Sequence, residues 1–99
     1  MADEYYKALG AYTHHLNEAL KKGNEYRSIA SDVKLMAERV TATPQPYTEY
    51  NLPPAIDGNK LLSLSKELVR LNDEIDHHIN EANLYAKEAK KETLERKKF

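Results

Sequence analysis

The stretch Thr43-Pro44-Gln45-Pro46-Tyr47-Thr48-Glu49-Tyr50-Asn51-Leu52-Pro53-Pro54 decides the fold, because it holds all four prolines of the chain. Proline has no backbone N–H to donate and its ring clashes with the preceding turn, so no helix runs through this stretch. On either side lie two proline-free stretches of nearly forty residues, rich in Ala, Leu, Glu, Lys and Arg, the good helix formers. Asp57, just ahead of Gly58, offers the short acceptor side chain of an N-cap for the second stretch. The expected order is a helix over about 3–41, a connector over 42–57, a helix over about 58–94 and a frayed basic tail to 99, all in one domain, 1–99.

Periodicity carries the same reading. Apolar or small residues recur in alternating steps of four and three from Tyr5 through Leu9, Tyr12, Leu16 and Ala19 to Val40, with no charge among them. The second stretch repeats the pattern from Leu61 through Leu64, Leu68, Leu71 and Ile75 to Ala89, passing through His78. Such spacing places one seam along each helix, and two seams bury each other best when the chain folds back. The fold class is therefore all-α: an antiparallel, coiled-coil-like two-helix hairpin with a Pro/Tyr-rich connector. If Val40 pairs with Leu61, partner numbers add to 101 along the whole hairpin, with Gly23 opposite His78 and Tyr12 opposite Ala89. Lys21-Lys22-Gly23-Asn24 has the composition of a helix C-terminus, but the seam keeps its phase across Gly23, so the first helix is expected to continue.

The composition makes this hairpin short of core. Charged residues are 31% of the 99, while Leu, Ile, Val and Phe together number 20, which is the border below which chains stop supporting a core of their own. A partner is expected to supply the rest. The formal charge of −1 gives no field that would draw the chain onto nucleic acid. The absence of cysteine excludes disulfides, thiolate metal sites and cysteine nucleophiles. No stretch has the roughly 18–20 apolar residues of a membrane span, and the acidic start is unlike a signal peptide. The chain is expected to be cytoplasmic, or exported without a cleavable signal.

Four histidines come as adjacent pairs, His14-His15 and His77-His78. Neighbours on a helix point about 100° apart, so neither pair alone can hold one metal ion; a spacing of three or four is needed, as in Glu74-Ile75-Asp76-His77. In the 101 register His14 and His15 face Lys87 and Ala86, away from His78, so the four are not expected to meet. No metal, cofactor or catalytic residue is assigned, and His78 is expected to fill the seam and make stability depend on pH. The echo of residues 13–19 in residues 76–82 is a chance match, since it does not extend further.

The remaining signals concern protein partners. Tyr47, Tyr50 and Leu52 sit in the proline-stiffened connector, where aromatic contact costs little conformational entropy. Beside the seams lie extra apolar residues, Ile29 and Met36 on helix one and Val69 and Ile79 on helix two, which a lone hairpin leaves open. Glu67, Glu74 and Glu81 repeat every seven residues as an acidic strip, which serves either as a solvated face or as a register-setting strip for a basic partner helix. The last thirteen residues carry six basic and three acidic side chains, as a helix C-terminus favours. The expected function is a non-enzymatic protein–protein interaction module, a small structural, adaptor or chaperone-like subunit acting by self-association or by binding a helical partner. The alternative is a small helical inhibitor that blocks another protein with its Tyr/Pro tip or its acidic face.

Overall fold

The computed structural model describes residues 2–99 and is all-α. Helix α1 spans Ala2–Thr41 and helix α2 spans Gly58–Ala86; they pack against each other as an antiparallel hairpin. α1 starts with Asp3 and Glu4 in its first turn and ends with Arg39 in its last, each favourable to the helix dipole. It runs unbroken through Gly23. It stops where Thr43 precedes Pro44, with the Thr41 and Thr43 hydroxyls donating to the carbonyls of Glu38 and Arg39. Asp57 caps α2 as expected, its Oδ1 accepting from the Lys60 N–H at 3.0 Å.

The hairpin is a rod of 74 × 22 × 15 Å. Its radius of gyration is 20.4 Å, against about 13 Å for a globular domain of this length. Its register differs from the expected one by a heptad. His15 meets His78, and Ala8 and Tyr12 share one buried cluster with Ala82, Ala86 and Ala89. Partner numbers therefore add to about 94, not 101. A slip of seven residues leaves every seam position on its seam, so the repeat alone does not distinguish the two. In the 101 register Tyr12 would already pair with Ala89, leaving the first two turns of α1 beyond the end of α2; the slip covers them. At the other end of α1, Ala55 and Ile56 of the connector flank Met36 and Arg39 without burying them.

The second correction concerns the C-terminus. α2 ends at Ala86, not near residue 94, and one further turn closes on Lys90 at φ 54°. Two crossed bonds seal it: Lys91 N–H to Ala86 O at 2.8 Å and Lys90 N–H to Lys87 O at 3.2 Å. This is the Schellman arrangement, with a left-handed lysine where glycine is usual. The tail then returns along α2 instead of fraying. The side-chain amide of Asn83 clamps Leu94, donating to its carbonyl at 3.0 Å and accepting its N–H at 2.7 Å. Further along, Arg96 donates to Asn72 O and Asp76 Oδ1, with its guanidinium 5.7 Å from the Tyr26 ring. Leu94 packs on the buried cluster, so the base of the hairpin has three layers.

Candidate functional site

Two places on this scaffold gather residues with chemical or binding character. One is a row of imidazoles across the seam. The heptad slip brings the histidine pairs together, contrary to the expectation that they stay apart. The Nδ1 atoms of His15 and His78 are 2.9 Å apart, a hydrogen bond in which one ring donates and the other accepts. His14 stacks edge-on against His15 with centroids 5.0 Å apart, and His77 does the same against His78 at 5.2 Å. Burial holds the His78 imidazole below its ordinary pKa, and the neighbouring His15, His77 and Lys22 act the same way, with Glu18 opposing them. Among the described residues no group of three or more His, Asp or Glu side chains is placed to hold a metal ion.

The other place is the distal half of the rod. Among the described residues every buried one lies at the base: Ala8, Tyr12 and Ala19 on α1, and Leu71, Ile75, Ala82, Ala86 and Ala89 on the other arm. Between Leu20 and Arg70 no side chain is buried. The base owes its core to small residues, which let the helices approach closely, and to the tail laid over them. In the distal half small seam residues stand on α1 alone, at Gly23, Ala30 and Ala37, the tail reaches no further than Tyr26, and the larger apolar groups stay partly or wholly in water. Ile29 and Met36 are half-buried and Val69 is exposed. Ile79 is different: it lies half-buried in the groove between α2 and the returning tail, beside Leu94 and Arg96. The tail thus occupies the flank that sequence reasoning left open at this residue.

At the tip, the connector closes a tight turn in which Thr48 and Asn51 exchange both backbone hydrogen bonds, at 3.2 and 3.1 Å. The Asn51 amide donates to Pro44 O at 2.9 Å and ties the turn to the end of α1. Tyr50 crowns it with 92% of its surface exposed, and Tyr47 and Leu52 are exposed beside it. Tyr50 therefore points outward into solvent.

The acidic strip is engaged within the chain. Arg70 bridges Glu67 at 2.6 Å and Glu74 at 2.9 Å, while Lys22 reaches across from α1 to Glu74 at 3.0 Å. The hydrogen bond from Arg70 lowers the Glu67 pKa, and the bond from Lys22 leads the lowering at Glu74. Glu81 stands further along the same helix, half-buried. Sequence reasoning missed Asn83 and Arg96. The available signal was an Asn inside a helix, where its propensity is poor and another use is expected.

Comparison with protein families, with curated proteins and with solved structures gives no match, so the functional reading rests on this geometry. Among the described residues no helix is long and apolar enough to cross a membrane.

Proposed function

We propose that this chain is a non-enzymatic protein–protein interaction module whose distal half and tip lie against another helical surface. The observation that supports this is the one-sided burial: the core ends at Ala19 and Leu71, yet the hairpin continues for more than twenty residues of α1 beyond it. An isolated two-helix segment with no buried side chain has little to hold it in water, because helical stability in proteins comes mainly from packing. The surface area agrees. The chain exposes 7941 Å², whereas a globular monomer of 11.4 kDa exposes about 5,800 Å². The excess exceeds the ~800 Å² that each partner of an ordinary interface buries.

Ile29, Met36 and Val69 form the flank of this surface, and Tyr47, Tyr50 and Leu52 its end. The inhibitor reading draws on the tip alone: a rigid turn holding a fully presented tyrosine is shaped to enter a pocket. Hydrogen exchange tests the module reading. Alone at low concentration, amides of residues 24–40 should exchange much faster than those of residues 8–19. Addition of the partner, or self-association at high concentration, should protect the distal amides selectively, and Met36→Glu with Val69→Glu should abolish that protection at unchanged helicity. Equal protection of both halves in the dilute monomer would refute it.

A further inference from the structure

The outer face of α1, turned away from α2, carries a stripe without charge. Following the helical period from Tyr6 to Leu35 gives nine successive positions, about 43 Å at 1.5 Å per residue, and every one is exposed and uncharged. In a chain that is 31% charged, the solvent face of a helix is where charge normally concentrates. Large apolar groups mark the two ends and the centre: Tyr6 is 67% exposed, Leu20 59% and Leu35 53%.

The stripe is close to a palindrome about Leu20. Laid antiparallel on a second copy, Tyr6 faces Leu35 and Gly10 faces Ser31, so bulk meets bulk and small meets small. Thr13 then faces Ser28 and Asn17 faces Asn24, both pairs able to hydrogen-bond, and Leu20 meets its own copy near the two-fold axis. The charges along one flank fit the same arrangement. Asp3 falls beside Arg39 of the second copy and Lys7 beside Asp32, while the His14 ring stands within hydrogen-bonding reach of Glu25; only Lys21 meets its own kind. Lys7, Asp32 and Arg39 form no ion pair among the described residues of their own chain. In a parallel alignment each of these charges would face itself. An interface that is its own complement in the antiparallel sense is what a two-fold dimer requires.

We propose that the outer face of α1 is a homodimer interface, two copies pairing antiparallel about Leu20. The dimer places the two Tyr50 tips at opposite ends and leaves the distal flank with Ile29, Met36 and Val69 clear, so each assembly would offer two copies of the surface described above. The inference does not depend on that surface having a partner.

The chain has no cysteine, so single thiols report proximity cleanly. Light scattering of the parent should give twice 11.4 kDa at micromolar concentration. Oxidised Leu20→Cys should become mostly covalent dimer, whereas Val69→Cys, exposed on α2, should not. Asp3→Arg should weaken the dimer by roughly tenfold, and combining it with Arg39→Asp should restore most of the loss. Leu20→Glu should give a monomer of unchanged helicity. A parent that stays monomeric to millimolar concentration overturns the proposal, as does a dimer indifferent to Leu20→Glu and to the charge reversals. A dimer broken by Met36→Glu but not by Leu20→Glu would overturn it while supporting the distal surface as the self-association site.

Discussion

The base and the tip of this hairpin are built from the same repeat, yet only the base has a core. At the base, Ala8, Ala19, Ala82, Ala86 and Ala89 let the helices approach, Tyr12 fills the space between them, and the tail adds Leu94 as a third layer. Toward the tip α1 keeps small seam residues at Ala30 and Ala37, but α2 sets only Leu61, Leu64 and Leu68 against them, and these, with Tyr26 and Val33, stay partly open to water. Here the two helices enclose their seam only where small residues stand on both of them and the tail covers a flank. A heptad repeat therefore specifies that two helices meet, whereas burial depends on what lies over them.

The largest effect that bears on this contrast is expected at Leu71, which is fully buried, compared with Leu62, which is exposed on the same helix. Leu71→Ala should cost about 3 kcal/mol by the usual combination of lost transfer and residual cavity. Leu62→Ala should stay within ~0.5 kcal/mol, since a surface substitution removes no buried contact. Urea unfolding of both variants in dilute solution checks this, and comparable losses would mean that the tip is as well packed as the base.

Next in size is the tail clamp. Asn83→Ala removes both hydrogen bonds to the Leu94 main chain and should cost about 1–2 kcal/mol. The Leu94 amide should lose its protection from exchange at the same time. Unchanged protection would mean that Arg96 and the packing of Leu94 hold the tail without the clamp.

The sequence shows the hairpin plainly and its register ambiguously. Four clustered prolines, Asp57 and two unbroken seams suffice for two antiparallel helices, and the phase across Gly23 suffices for a continuous α1. The heptad slip is hidden because a repeat of seven is blind to displacement by seven, and with it the meeting of the histidines was hidden. The tail was hidden for a different reason. Its stop is a lysine in the left-handed region, which nothing in the side chain announces, and its anchor is one Asn amide eleven residues back. Of the candidate binding residues, the exposed tip tyrosines and Val69 were visible as apolar groups without a seam partner, whereas Glu67 and Glu74 looked free only because Arg70 and Lys22 could not be placed against them.

A smaller effect follows from the histidine row, which lies on the basal side of the boundary. In the folded chain the His78 pKa lies below its ordinary 6.5, so below that pH the unfolded state binds more protons and stability falls as pH decreases. Protonation of both rings also removes the lone pair that the His15–His78 bond needs. His15, His77 and Lys22 oppose added charge on His78, and Glu18 favours it. Melting temperature should be flat from pH 8 to about 7 and decline between roughly 6.5 and 5, and the decline should shrink in His78→Leu. A parent curve that stays flat to pH 5.5 would show that the row is too wet to matter.

The smallest effect tests why the two halves differ. Gly23 sits at the boundary, one turn past Ala19, and a methyl group built there meets nothing within 4 Å. Gly23→Ala should therefore stabilise the helix by about 0.5–1 kcal/mol through backbone entropy alone. If the glycine loosens the distal half, the substitution should slow amide exchange beyond residue 24 until the two halves match. If the distal half is loose because nothing covers it, global stability should rise while the difference in exchange between the halves persists. The second result is expected, because stiffening the backbone at one residue adds no buried surface to Tyr26, Val33, Leu64 or Leu68, and burial is what the distal half lacks.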